Sequence, residues 1–209
     1  MEKANETKQD IEKKIETDSI LFFDMDGTLV DTNFSNYLSY KRAIQSVIPT
    51  DADIPYNLTE RFNRGLLKRV VPNLTETEYE KIIQLKEDYY KEYLPQTKLN
   101  KLVVEILIQY SKTNKTVLVT NCREDRAKMT LNYYGLTDHF SSLFFRQFDG
   151  DNGKINKFQN AILCLGISPT LIIAFENEEN EIADAMEAGI QYINPIIKLI
   201  NDPLHNRAK

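Results

Sequence analysis

Ile20-Leu21-Phe22-Phe23-Asp24-Met25-Asp26-Gly27-Thr28 is the stretch on which the fold turns: an apolar run that ends in two acids, a glycine and a threonine. A short, uninterrupted apolar run bounded by turn residues reads as a strand buried on both faces. Gly27 lets the chain leave that strand sharply. Two carboxylates two positions apart at a strand end can separate in role, one reaching a substrate and the other flanking it. The plainer alternative is an Asp-rich turn after a strand.

Outward from this run, the chain repeats the pattern. Thr116–Val119, Leu143–Phe145 and Leu171–Phe175 are further apolar runs, with Gln191–Ile193 a weaker fifth. Between them lie stretches with apolar residues at helical spacing: Leu99–Tyr110, Glu124–Tyr134, Ile155–Leu165 and Glu178–Ala188, the last closing at Gly189. Strand and helix alternate from residue 99 onward, which predicts an α/β fold with a parallel sheet covered on both faces. In such folds ligands bind at the carboxyl ends of the strands, so Asp24, Thr120 and Asn177 are expected at one rim.

Residues 31–95 break the alternation and read as successive helices punctuated by Pro49, Pro55, Pro72 and Pro95. The reading is of an all-helical insertion, able to act as a lid, set between residues 19–30 and 96–209 of the α/β core. Residues 1–18 are densely charged, lack an export signal, and read as a solvated or disordered lead-in.

Composition bounds the function. The 209 residues carry 26 Lys+Arg against 31 Asp+Glu, a net charge of -5, with 42% hydrophobic residues. That excludes a disordered or collagenous chain and predicts no general attraction to nucleic acid or anionic membrane. No stretch is long and apolar enough to span a bilayer. Two distant cysteines, Cys122 and Cys164, do not make a secreted disulfide framework. The expectation is a cytoplasmic protein, monomer or homodimer.

The Asp24-Met25-Asp26-Gly27-Thr28 pattern after an apolar strand, with helices inserted behind it, resembles the haloacid dehalogenase superfamily of phosphohydrolases, over about residues 20 to 195. The resemblance implies a Rossmann-like three-layer core of strand order 3-2-1-4-5 and a helical cap. It implies Asp24 as nucleophile forming an aspartyl-phosphate and Asp26 as general acid and base. It also implies Mg2+ held by Asp24, Asp26 through its backbone carbonyl, and the acid ending the fourth strand. Thr120-Asn121 matches the second motif, with Thr120 holding a phosphoryl oxygen and Asn121 adding a donor. Of two lysines matching the third motif, Lys154 is preferred because it follows Gly153 and precedes the stripe Ile155, Phe158, Ile162; Lys157 is the reserve.

The fourth motif departs from the family. Members usually end that strand in Gly-Asp or Glu-Asp with a second acid or Gly four residues on, whereas this chain reads Phe175-Glu176-Asn177-Glu178-Glu179-Asn180-Glu181. Asn177 stands where the metal-binding Asp is expected, leaving Glu176, Glu178 or Glu181 to supply charge. Such acids also suit a helix N-terminus. Arg123 and Arg126 face either anion or solvent. In the cap, Arg61, Arg64 and Lys68 fall on one helical face, solvated or facing a second anionic group of a substrate. The expected activity is a magnesium-dependent phosphatase of a small phosphorylated metabolite. A phosphosugar mutase ranks below it, because Asn36 lies near the position of the mutases' cap histidine. A catalytically weak phospho-ligand binder is the other alternative, motivated by Asn177.

Overall fold

Five strands form one parallel sheet: β1 (Ile20–Phe23), β4 (Lys115–Val119), β5 (Ser142–Phe144), β6 (Ile172–Glu176) and β7 (Tyr192–Pro195). The computed structural model describes residues 8–48, 54–57, 60–147 and 155–195. Strand order across the sheet is β5-β4-β1-β6-β7. Numbered by appearance within this sheet alone, that is the expected 3-2-1-4-5. β1 is central, with Phe23 in register with Leu118 on one side and Phe175 on the other.

Alternation along the strands sorts the core into two layers. Leu21, Phe23, Leu118, Ile173 and Phe175 share one apolar cluster with α5 (Lys101–Tyr110) and α6 (Glu124–Tyr134). Phe22, Val117, Val119, Ile172 and Ala174 share the other with α7 (Lys157–Leu165) and α8 (Glu179–Glu187). The Phe23 and Phe175 rings stack with centroids 4.6 Å apart. Each such side chain, fully buried, contributes about 1.5–3 kcal/mol. β1 is therefore clamped on both faces, and the residues that follow it inherit a fixed starting point.

The chain divides into two compact units, residues 1–30 with 99–209 and Asp31–Lys98. The second is helical, built from α2 (Asn33–Val47), α3 (Arg64–Val70) and α4 (Glu76–Tyr93). Its core holds Tyr37, Tyr40, Ile44, Leu67, Ile82 and Ile83. Thr75 and Glu78 form a reciprocal capping box at the start of α4. Two short strands, β2 (Val30–Asp31) and β3 (Lys98–Leu99), pair with each other.

Two local expectations are corrected. Asn63 caps α3, its side chain accepting from the Leu66 N–H, so Arg61 precedes the helix and shares no helical face with Arg64 and Lys68. The N-terminal lead-in is not wholly solvated: residues 1–7 lie outside the described residues, but α1 (Lys8–Glu12) buries Ile11 to 1% exposure in the β1–α5–α6 cluster. Among the described residues no helix is long and apolar enough to cross a membrane.

Candidate active site

The backbone builds the site first. Beyond Phe23, the Asp24 N–H donates to the Phe175 carbonyl, holding Asp24 against the end of β6. The next residues close a tight turn in which the N–H groups of Thr28, Leu29 and Val30 all donate to the Met25 carbonyl. Gly27 has φ +88°, a left-handed value, and a Cβ added there would lie 2.6 Å from Asn177 Nδ2. Glycine at 27 thus suits the conformation, and a Cβ there would displace the Asn177 amide. Thr28 Oγ1 donates to Asn177 Oδ1 at 3.0 Å, so the turn after β1 and the end of β6 are knitted together.

Asp24 is buried, and the cation beside it is Lys157. Its Nζ donates to Asp24 Oδ1 at 2.8 Å and Glu176 Oε2 at 2.7 Å, and it also donates to Glu181. Preference for Lys154 is corrected on this point: Lys154 lies outside the described residues, and the amine at Asp24 belongs to the reserve. The physical reason is where α7 begins. Asn156 caps it, its side chain accepting from the N–H groups of Phe158 and Gln159, so the helix starts at Lys157 rather than Ile155. An asparagine one residue past the assumed start was the signal in the sequence.

Glu176, the last residue of β6, is wholly buried. Its Oε1 accepts from the N–H groups of Asn177 and Glu178, while Oε2 meets Lys157. Glu181, in the first turn of α8, accepts from Asn121 Nδ2 at 2.7 Å as well as from Lys157. Asp24, Glu176 and Glu181 each offer an oxygen within 4.8 Å of the others. Glu178 caps α8 without a side-chain hydrogen bond to it.

These contacts set the electrostatics. Burial pushes the Asp24 carboxyl up from 3.8 to about 6, with Lys157 opposing and Glu181 and Asp26 adding to the rise. Burial likewise raises Glu176 from 4.5 to about 8, reinforced by Asp24 and Glu181 against the pull of Lys157. For Lys157 burial acts downward, but the Asp24, Glu176 and Glu181 carboxylates outweigh it and hold the amine above its usual value. Three carboxylates around one ammonium leave the cluster short of positive charge.

The remaining expected residues sit around this cluster. Thr120 follows β4, is buried, and its Oγ1 accepts from the Cys122 N–H at 3.2 Å. Asn121 donates one N–H of Nδ2 to Glu181, and its Oδ1 is buried without a hydrogen-bond partner among the described residues. Asp26 turns to Arg126, whose Nη2 donates to Oδ2 at 3.1 Å and whose Nε donates to Cys122 Sγ at 2.9 Å. Arg126 thus faces an anion, whereas Arg123 pairs with Asp125 at the surface.

An all-oxygen donor set with unbalanced negative charge fits magnesium, a hard cation that takes carboxylate and carbonyl oxygens. Asn177 fits less simply, since its Oδ1 already accepts from Thr28.

Comparison with known proteins accords with this geometry. A protein from Caldanaerobacter subterraneus subsp. tengcongensis named "Putative pyrophosphatase PpaX" is 29% identical over 136 residues, 59% of this chain and 56% of its own. The match therefore spans little more than half the length of that relative. Among solved structures, CbbY from Rhodobacter sphaeroides, in complex with phosphate, superposes with TM-score 0.70 at 14% identity, covering 88% of this chain and 89% of that one. A hydrolase of the haloacid dehalogenase-like family from Streptococcus pneumoniae gives TM-score 0.66 at 18% identity, covering 84% and 83%. Both likenesses are of fold. The model of the haloacid dehalogenase-like hydrolases matches residues 21–194, most of the sequence, and the chain belongs to that family.

Proposed function

We propose that the protein is a magnesium-dependent phosphohydrolase that acts on a small phosphorylated metabolite through an aspartyl-phosphate on Asp24. The observation that carries this reading is the pairing of a buried Asp24 with Lys157 beside a second, separately held carboxylate, Asp26. Asp24 attacks phosphorus in line, and Asp26 gives a proton to the departing oxygen. Water then attacks the aspartyl-phosphate, with Asp26 taking its proton. Lys157 offsets charge at Asp24, and Thr120 is the hydroxyl that holds a phosphoryl oxygen. Asp24 and the Asp26 carbonyl would hold magnesium, with Asn177, Glu176 or Glu181 completing the protein's share. When bound, the ion supplies the neutralising charge that lets one anion approach another.

Release of phosphate from an aryl phosphate and from a panel of phosphorylated metabolites, with and without magnesium, tests the reading. Magnesium-dependent turnover that Asp24→Asn abolishes supports it; turnover no greater than that variant's across the panel refutes it. A mutase is disfavoured by Asn36, which lies near the position of the mutases' cap histidine: its amide is buried, donates from Nδ2 to the Phe62 carbonyl, and does not titrate as an imidazole does. The weak-binder reading draws on Asn177. Asn177→Asp adds the missing charge and is expected to tighten magnesium binding, measured by titration calorimetry; unchanged affinity removes Asn177 from the ligand set.

A further inference from the structure

Arg126 stands in an unusual place for a cation. It is the third residue of α6, inside the first turn, where the helix dipole disfavours positive charge. Its side chain is only 13% exposed, so it does not reach out to water. Instead its guanidinium is gripped at two edges: Nη2 on Asp26 Oδ2 at 3.1 Å and Nε on Cys122 Sγ at 2.9 Å. Cys122 lies in the loop joining β4 to α6, directly after Thr120-Asn121, and is itself buried.

The turn after β1 fixes the backbone of Asp26, through the Gly27 N–H to Val30 carbonyl bond at 2.8 Å and the bridge between Asp26 and Val30. Two further torsions carry the side chain to its carboxylate, whose Oδ2 Arg126 holds. We propose that Arg126 is a positioning residue for Asp26: by holding Oδ2 from α6, and being held in turn by Cys122, it sets the direction in which the carboxylate meets the departing oxygen. The planar fork makes this possible, since a guanidinium binds two partners in fixed relative orientation and an ammonium does not. The assignment rests on the phosphohydrolase reading, in which Asp26 transfers the proton.

Proton donation matters most for a poor leaving group. An alkoxide needs a proton as the P–O bond breaks, whereas 4-nitrophenolate departs without one. kcat/KM reports events up to transfer onto Asp24, so it separates the cases without involving the later hydrolysis. A misplacement of about 1 Å can cost on the order of 100-fold. Arg126→Met is therefore expected to lower kcat/KM at least tenfold more for an alkyl phosphate from the metabolite panel than for 4-nitrophenyl phosphate. Arg126→Lys should fall between Arg126→Met and the wild type. In the Asp26→Asn background, Arg126→Met should have little further effect on the alkyl ester, because the group it positions is gone.

Equal losses on both esters, or additive losses in the double variant, would overturn the positioning role and leave the phosphohydrolase reading intact. Magnesium-dependent turnover of neither ester by the wild type above Asp24→Asn would overturn both. Circular dichroism and urea unfolding of each variant exclude loss of fold; should Arg126→Met fail to fold, the Arg126→Lys leaving-group ratio decides, and a ratio equal to the wild type's counts against the proposal.

Discussion

Gly27→Ala tests the claim that two strand ends meet with no room to spare. Gly27 has φ +88°, and a Cβ there lies 2.6 Å from Asn177 Nδ2, 3.0 Å from Oδ1 and 3.1 Å from Cγ. Left-handed backbone costs a non-glycine residue about 1–2 kcal/mol. The collision also forces Asn177 aside, and with it the bond from Thr28, worth about 1 kcal/mol. The sum is about 2–3 kcal/mol. The protein carries its own control. Gly135, at φ +66°, caps α6 with nothing among the described residues within 4 Å of an added Cβ, so Gly135→Ala pays for conformation alone. Urea unfolding of the two variants should show Gly27→Ala losing about 1 kcal/mol more than Gly135→Ala, and phosphate release should fall only in the former. Equal destabilisation, or full activity in Gly27→Ala, would refute the packing argument.

Lys157→Met strips the shared cation from three carboxylates and should destabilise the protein by about 3–5 kcal/mol near pH 8, as removing one member of a buried pair does. Lys154→Met tests the alternative from the sequence: if it, and not Lys157→Met, abolishes turnover in the phosphate-release assay, the assignment of the third-motif lysine is wrong. The pH dependence has a definite sign. Without metal, the native protein keeps protons on Asp24 and Glu176 up to about 6 and about 8 that the unfolded chain releases near 3.8 and 4.5. These groups therefore stabilise the fold fully below about pH 4, and that contribution is lost as pH rises to 8. Urea midpoints across this range should fall less steeply in Glu176→Gln, and magnesium should flatten the wild-type profile by replacing the protons. A metal-free difference between the two proteins that grows in the opposite direction would contradict the charge assignment.

How far the sequence carried depends on range. The sheet was legible because β1, β4 and β6 are buried on both faces, so each is an apolar run with no competing interpretation, and the alternating helices leave few topologies. Asp24, Thr120 and Asn177 were legible for the same reason: each follows a strand end. Interactions settled across the fold were not. Arg126 reaches a residue 100 positions away, and Glu181 reaches Asn121 60 positions away; neither leaves a local pattern. The lysine was misjudged through a shift of two residues in a helix start, a small error in chain position that turns a side chain to another direction. Ile11 was missed because it and Ile15 make only a single i,i+4 apolar pair among charges, too short to mark a helical face, yet both pack on the β1–α5–α6 cluster.

The departure at the fourth motif looks different once charge is counted in space. The resemblance implies Gly-Asp or Glu-Asp at this strand end, with an acid or Gly four residues on; its Gly-Asp form with the later acid carries two acids. Here the pair Glu176-Asn177 exchanges their order, acid first and neutral second, and Glu181 supplies the later acid. Glu176 and Glu181 both turn onto Lys157 with Asp24, so the cluster holds three carboxylates and one ammonium. With all three ionised, as when a cation replaces the protons on Asp24 and Glu176, its excess of two negative charges would match one divalent ion. Meanwhile Asp26 and Arg126 neutralise each other outside that count. Asn177 is then free to be neutral and to do what its neighbours require: accept from Thr28 and lie flat against Gly27, where its amide touches the space a side chain would need. The negative charge that a divalent ion would meet beside Asp24 therefore comes from Glu176 and Glu181 and does not depend on an acid at 177.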